Sequence, residues 1–371
     1  MPITLVVQRE RAPGENRVAL VPDTARQFAG RGATLWLEAN AGLPSHYADA
    51  DYPEVSSGST PPPADLTLCV TPPTPEQIDL LPVGSVLIGL LAPFSSKERL
   101  AQLNARKITA FALELLPRIS RAQSMDALSS QGTVAGYQGA LIAASLSPRF
   151  FPMLTTAAGT IRPAKALVIG AGVAGLQAIA TCRRLGALVE AYDVRAAARE
   201  QIESLGARFV DTGVSADGSG GYARELSEEE KAQQQAKLAK AVAAADVVIC
   251  TAAIPGKPAP KIITADMVKA MKRGAAVIDL AAETGGNCAV TQPGETIVVD
   301  EVTIAGPLQL ASRMPTHASE MYAKNLWNFL SPWVKDGALV FDWEDEIVAG
   351  TVLCKDGATV HPTVQKILGD A

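Results

Sequence analysis

Histidine is scarce in this chain of 371 residues: there are three, His46, His317 and His361, and no two are spaced as a metal pair such as HExxH. There is no GxSxG either, so a nucleophile-elbow Ser-His-Asp triad has no anchor. The five cysteines, Cys69, Cys182, Cys250, Cys288 and Cys354, are odd in number, widely spaced and without a CxxC pair. That argues against a disulfide framework or a zinc knuckle and for small buried thiols in a reducing compartment. A basic excess is also lacking. Lys and Arg number 33 against 38 Asp and Glu, for a net charge of −5 without a basic cluster, so no nucleic-acid partner is expected. The longest apolar stretch, about residues 166–182, falls short of the ~18 to 20 residues of a membrane span. The first residues, MPITLVVQRERAPGENRVALVP, lack the basic segment, apolar core and cleavage site of a secretory signal. The expectation is a cytoplasmic chain with no bound metal and no membrane span of its own.

Apolar residues make up 48% and charged residues 19%, the balance of a globular protein, and the length suits two domains. Residues 1 to about 137 alternate apolar runs (ITLVVQ, ATLWLEA, LTLCVT, SVLIGLL, ITAFALEL) with helical patterns at 24–31 and 97–106, which predicts a parallel, doubly wound sheet. Residues 56–63 (SSGSTPPP) read as an irregular surface loop. Residues 133–145 form a small-residue helix ended or bent by Ser147-Pro148, which carries the chain between domains. The runs LVIG, LVEAYD, ARFVD, DVVICT, AAVIDLA, TIVVD and VTIAG then match a second sheet of Rossmann type. After about Met314, THASEMYAKNLWNFLSPWV has the pattern of an amphipathic helix, and VAGTVLCKDGATVHP that of two strands around Lys355-Asp356-Gly357. The predicted class is α/β: two Rossmann-like doubly wound parallel-sheet domains separated by a cleft. The first comprises residues 1–137 plus 315–371 and the second 138–314. Between 211 and 235 the second is interrupted by a Gly/Ser-rich, then charged excursion, either a functional mobile loop or a disordered one.

Residues 166–193 read ALVIGAGVAGLQAIATCRRLGALVEAYD: a strand, Gly170-Ala171-Gly172-Val173-Ala174-Gly175, a helix, and a second strand ending in an acid. Each part serves a dinucleotide. Gly170 permits the tight turn, Gly172 lets backbone approach the pyrophosphate, Gly175 allows close helix packing, and the helix start faces the phosphates with free N–H groups. Asp193 can accept hydrogen bonds from the adenosine ribose hydroxyls and repels a 2′-phosphate, which favours NAD(H). Arg195 and Arg199 keep the other choice open, because an arginine here can pair with a 2′-phosphate.

A second polar concentration, Arg118-Ile119-Ser120-Arg121-Ala122-Gln123-Ser124-Met125-Asp126 and then Ser129, contains no glycine. Its donors and acceptors suit a nicotinamide, its carboxamide and the adjoining ribose. The plainer alternative is a helix start capped by Ser120 or Ser124.

PRISRAQSMDALSSQ, the helix with Gly136-Tyr137, GAGVAGLQAIATCRRLGA with DVRAA, GGYA, TAAIPGKPAPKII and IDLAAETGGN together closely resemble the NAD(H)-binding component of proton-translocating nicotinamide nucleotide transhydrogenase, over nearly the whole chain. The resemblance implies a homodimer at the cytoplasmic face of a bacterial inner membrane. It would exchange hydride between NADH and an NADP⁺ held by a separate beta subunit, coupled to proton movement through a membrane-spanning subunit. As the chain stops at Ala371, the split-subunit form is expected. Carried over by residue, Arg118, Gln123, Asp126 and Ser129, with Ile119, Ser120, Ser124 and Met125, surround the nicotinamide end, and Gln123 orients the ring. Arg118, Gln123 and Asp126 are the candidate catalytic residues, and Tyr137 lies nearby. Gly170, Gly172, Val173 and Gly175 meet the pyrophosphate, and Asp193, Val194 and Arg195 the adenosine ribose. Gly221 and Tyr222 form the tip of a closing loop, while Gln234 and Ala253 are further contacts; Ala253 stands where the family has a larger aliphatic residue. Hydride passing directly between two nicotinamides requires no protein acid or base, which suits a chain this poor in histidine.

Two other readings compete. Alanine dehydrogenases resemble this family in fold and share the pattern seen here as Glu15-Asn16-Arg17-Val18-Ala19, but oxidative deamination needs acid/base and carbonyl-polarising groups. Where those enzymes have a histidine before a Leu-Ala-Pro sequence this chain reads Gly89-Leu90-Leu91-Ala92-Pro93, and the corresponding lysine region is Cys69-Val70-Thr71-Pro72; both reactive side chains are absent. The other is a non-catalytic NAD-binding module.

Overall fold

The computed structural model describes residues 2–213, 227–254 and 256–368, with nothing stated of the Lys231 side chain. In chain order the strands are β1 (Thr4–Val7), β2 (Thr34–Glu38), β3 (Val55–Gly58), β4 (Leu66–Leu68), β5 (Val86–Gly89), β6 (Thr109–Ala112), β7 (Leu154–Thr156), β8 (Gly159–Ile161), β9 (Lys165–Ile169), β10 (Leu188–Tyr192), β11 (Arg208–Phe209), β12 (Val247–Cys250), β13 (Ala276–Asp279), β14 (Thr296–Val299), β15 (Val302–Ala305), β16 (Val334–Lys335), β17 (Ala338–Leu339), β18 (Val352–Lys355) and β19 (Ala358–Thr359). The chain divides into two compact units, Met1–Gln131 with Ala311–Ala371, and Gly132–Leu310.

The first unit is built on an eight-stranded sheet, β19-β18-β6-β5-β4-β1-β2-β3. Strands β1 to β6 pair parallel throughout, and β18 adds antiparallel to β6. Its central strands are apolar on both sides because helices cover both faces. On one face Leu5, Val7, Leu66, Leu68, Ile88 and Phe111 pack with Phe28, Tyr322 and Phe329; on the other Leu87 and Ala110 pack with Ile78, Leu100 and Leu103. Phe28 comes from helix Pro22–Gly30, and Tyr322 and Phe329 from helix Pro315–Leu330, the amphipathic helix read from the sequence. The stretch read as a surface loop at 56–63 is corrected in its first part. Val55–Gly58 is an edge strand, parallel to β2. As an edge strand it has no facing neighbour to pack against on one side, so Ser and Gly suffice and the hydrophobic signal is missing.

The second unit is a seven-stranded sheet, β11-β10-β9-β12-β13-β15-β14. All pairings are parallel except β14 with β15, which form an antiparallel pair at the edge. Successive residues of β9 feed opposite layers: Ala166 and Val168 meet Ala178 and Ile179, while Leu167 and Ile169 meet Leu238 and Val242. The hairpin of β7 and β8 has no apolar alternation and went unread in the sequence. In both units the order reverses beside the first strand, at β1/β4 and at β9/β12, and crevices at such switch points are where open α/β sheets bind ligands. All five cysteines are buried and free. Among the described residues no helix is long and apolar enough to cross a membrane.

Candidate functional site

At the β9/β12 switch point the backbone leaves β9 through Gly170, whose φ of +91° only glycine adopts without strain. A Cβ on Gly175 would fall 1.9 Å from the Gly170 carbonyl oxygen, and one on Gly170 would fall 2.7 Å from the Thr251 hydroxyl. A Cβ on Gly172 would meet nothing within 4 Å. The first two glycines are therefore required by packing, while Gly172 borders open space. Helix Val173–Arg184 starts there with no side chain capping Gly172, and Val173 is exposed. These are backbone donors and a positive dipole end left for an anion such as a pyrophosphate. Tyr137 lies on helix Ala127–Leu146, beside Gly136, where a Cβ would fall 2.0 Å from the Ala174 carbonyl oxygen. The small-residue pattern of that helix thus reflects direct contact of its backbone with the first turn of the fingerprint helix.

Asp193 follows β10 and is 7% exposed. Its Oδ2 accepts from the Ala171 N–H (2.7 Å) and Arg195 Nη2 (2.8 Å), and its Oδ1 from the Arg195 N–H (2.9 Å) and Nε (2.8 Å). Burial alone would raise its pKa; the bonds from Arg195 and Ala171 outweigh it and hold the carboxyl below its ordinary value. Arg199 is also engaged, donating to Asp211 (2.6 Å) with its guanidinium carbon 4.3 Å from the Phe209 ring centroid. Both arginines that kept a 2′-phosphate open are thus paired with acids. Gln234, read as a nucleotide contact, is buried and donates to the hydroxyl of Tyr192, behind Asp193. Val194 is partly buried in the core and Ala253 is exposed just past β12. Gly221 and Tyr222 lie outside the described residues. Sequence reasoning missed Asn287, whose buried amide binds Ala252 N–H (3.0 Å), Ala252 carbonyl (2.8 Å) and Pro260 carbonyl (2.9 Å), fixing the loop after β12. Its signal was the last letter of IDLAAETGGN.

In the first unit, residues 118–129 form a 3-10 turn, Ser120–Met125, leading into helix Ala127–Leu146. The helix start is capped by neither Ser120 nor Ser124. Asp126 caps it, accepting from the Ser129 N–H (2.9 Å) and hydroxyl (2.6 Å). Arg118, Ser120, Gln123 and Ser124 are exposed, Ile119 is partly buried and Met125 is buried. The segment is anchored from below: Asn325 and Asn328 both donate to the Ser124 carbonyl at 2.9 Å, and Arg121 makes a bidentate pair with Asp345 (2.7 and 2.9 Å). The structure thus presents the polar side chains of this segment on a fixed backbone.

The amino acid dehydrogenase alternative locates its chemistry in Cys69-Val70-Thr71-Pro72 and Gly89-Leu90-Leu91-Ala92-Pro93, and the two segments touch at Cys69 and Gly89. A Cβ on Gly89 would fall 2.5 Å from both the carbonyl oxygen and Sγ of Cys69, and Leu90, the residue before Leu91-Ala92-Pro93, is partly buried against the first unit's core, so no imidazole stands at that position. Burial pushes the Cys69 thiol well up, leaving it neutral. Arg17, in the shared opening pattern, is tied to Glu15 (2.6 Å) and Gln131 (2.9 Å) with side-chain exposures of 9% and 0% for the ion pair. Burial raises the Glu15 pKa, but Arg17 and Ser312 outweigh it and Glu15 stays ionised. No carbonyl-polarising acid/base pair is assembled by these residues.

Two family models cover the chain: Alanine dehydrogenase/PNT, N-terminal domain, over residues 6–135, and Alanine dehydrogenase/PNT, C-terminal domain, over residues 139–362. An NAD(P) transhydrogenase subunit alpha protein of Rhodospirillum rubrum is 44% identical, over 97% of this chain and 98% of that protein. Alanine dehydrogenase of Bacillus subtilis is 29% identical over 76% of this chain and 71% of its own length. The crystal structure of transhydrogenase from Sinorhizobium meliloti superposes with a TM-score of 0.88 at 42% identity, covering 96% of this chain and all of that one. The chain belongs to the alanine dehydrogenase/PNT family and, within it, to the NAD(P) transhydrogenase alpha subunits.

Proposed function

We propose that this chain is the NAD(H)-binding component of a proton-translocating transhydrogenase. It would exchange hydride with NADP(H) held on a partner beta subunit, the transfer being coupled to proton movement through a membrane-spanning subunit. The observation that carries the cofactor is the uncapped, glycine-bordered helix start at Gly172 beside the ionised Asp193. Bound NADH would supply the hydride from C4 of its dihydronicotinamide. The backbone at Gly172, Val173 and Gly175 would hold the pyrophosphate, Asp193 with Val194 and Arg195 the adenosine ribose, and Arg118, Gln123, Asp126 and Ser129 the nicotinamide end. Asp126, already bonded to Ser129, is fixed in place, whereas the exposed Gln123 is suited to orient a ring. Such a site catalyses by positioning alone. The chain would act as a homodimer on the cytoplasmic side of a bacterial inner membrane, attached through its partner subunits.

The deciding assay mixes the purified chain with an NADP(H)-binding domain and follows reduction of an NAD⁺ analogue by NADPH. Transfer is expected; its absence, with alanine reducing NAD⁺ on this chain alone, would overturn the assignment in favour of an amino acid dehydrogenase. Gln123→Asn is expected to keep NADH affinity within about twofold while slowing single-turnover transfer by about tenfold or more, the pattern of a lost orienting contact. Equal losses in affinity and rate would count against that role.

A further inference from the structure

The peptide that links Gly170 to Ala171 is gripped at both ends by residues that directly follow the two strands flanking β9. Thr251, the first residue after β12, donates its hydroxyl hydrogen to the Gly170 carbonyl (2.9 Å), with the Ile169 carbonyl as the longer alternative (3.2 Å). Asp193, the first residue after β10, accepts the Ala171 N–H at 2.7 Å. In a trans peptide the C=O and N–H point in opposite directions, so these two bonds act on one rigid plane. The Gly170 oxygen is turned inward, toward Gly175, where a Cβ would fall 1.9 Å from it. Glycine at 170 makes the grip necessary, since it tolerates either sign of φ and gives the plane little resistance to rotation. Thr251 is itself held: its own N–H bonds the Ile169 carbonyl (2.8 Å), and Ala252 beside it is fixed on both sides by the Asn287 amide.

Resting on the NAD(H) assignment above, we infer that Thr251 is a positioning residue for the dinucleotide: its hydroxyl sets the direction of the Gly170–Ala171 peptide and, through it, the phosphate-facing turn. Rotation of that peptide would bring the Gly170 oxygen toward the Asp193 carboxylate, acceptor against acceptor, and would displace the backbone N–H groups of Gly172 and Val173 that meet the pyrophosphate. Thr251 acts through the turn and not by touching the nucleotide. The hydroxyl is the operative group, because valine fills the same space beside Gly175 but has no hydrogen to give the carbonyl.

The test compares the full chain with Thr251→Val, Thr251→Ala and Thr251→Ser. Three quantities are read: NADH binding by calorimetry, thermal unfolding without nucleotide, and single-turnover hydride transfer to an NADP(H)-binding domain at saturating NADH. Thr251→Val is expected to weaken NADH binding about tenfold or more, the worth of a bond lost at a half-buried carbonyl. Transfer at saturation should change by less than about threefold, because the nicotinamide end is held by other residues. Thr251→Ser keeps the hydroxyl and should return affinity to within about threefold of the unaltered chain. Unchanged NADH affinity in a folded Thr251→Val protein would overturn the inference, as would a loss in Thr251→Ser as large as that in Thr251→Val, or an equal fall in saturated transfer. If Thr251→Val does not fold, Thr251→Ala takes its place; should both unfold, the residue serves the fold and not the cofactor, and the inference fails. Failure of the unaltered chain to bind NADH would instead sink the NAD(H) assignment itself.

Discussion

The two units have the same kind of switch point and treat it in opposite ways. In the second, the loop after the first strand is Gly170-Ala171-Gly172 and a helix starts at once, so this loop itself sends no long side chain into the crevice. In the first, the loop after β1 reads Gln8-Arg9-Glu10-Arg11, and the Glu10 carboxylate crosses to β4. It accepts the Val70 N–H (2.7 Å), the Thr71 N–H (3.0 Å) and the Thr71 hydroxyl. The next helix waits until Pro22. An acid at the end of the second strand occurs in both: Glu38 accepts the Arg9 N–H (2.9 Å) and pairs with Arg11 (2.6 Å), as Asp193 accepts the Ala171 N–H and pairs with Arg195. Shared topology thus provides the position, and local chemistry decides whether it is available for a phosphate or already filled by the chain's own carboxyl group.

The sharpest way to break this contrast is Gly175→Ala. With a Cβ placed 1.9 Å from the Gly170 carbonyl oxygen, helix and strand must separate, and NADH binding is expected to fall by about a hundredfold or more alongside a stability loss of about 1–3 kcal/mol. Retained affinity in calorimetry would mean that the glycine edge is not the site. Next comes Gly89→Ala in the filled unit, where a Cβ meets Cys69 at 2.5 Å; urea unfolding should show about 1–3 kcal/mol lost, with NADH affinity of the folded protein unchanged.

Glu10→Gln gives a subtler effect. Burial raises the Glu10 pKa from 4.5 to about 7, against the lowering bonds from Thr71 and Val70. The folded chain therefore holds this proton more tightly than the unfolded chain. The contribution to stability is present below pH 4.5 and is lost as pH rises through about 7. Glutamine removes that titration, so the difference between the two stability curves should slope between those pH values and be flat outside them; parallel curves would place Glu10 in solvent. The smallest change is expected from Arg121→Ala. Its pair with Asp345 is well formed, but the arginine is 56% exposed, so less than about 1 kcal/mol should be lost. A larger loss in a denaturant titration would make this pair a principal anchor of residues 118–129.

What could be read from the sequence was whatever backbone geometry imposes on residue type. Gly170 and Gly175 are glycine because nothing else fits, and the apolar runs of β1, β9 and β12 are continuous because both faces are covered. The edge strand β3 was hidden, since its pairing is carried by backbone alone. Side-chain partners were also hidden. Arg195 two residues beyond Asp193 could have faced a phosphate or the acid, and only the fold decides. Gln234 meeting Tyr192 from 42 positions away, and Glu10 meeting Thr71 from 61, depend on tertiary placement that no local pattern encodes.

Asn287 carries a chemical vulnerability out of proportion to its size. Its side chain answers one N–H and two carbonyls at once, which needs both a donor and an acceptor end, and its own carbonyl takes the N–H groups of Ile262 (2.8 Å) and Ile263 (3.0 Å). Replacing that amide by a carboxylate exchanges one nitrogen for an oxygen, yet it would turn two attractions, to the Ala252 and Pro260 carbonyls, into oxygen facing oxygen. The irregular backbone after β12 is therefore held through one buried amide group, and a carboxylate in its place would be felt in that loop before it is felt in either sheet.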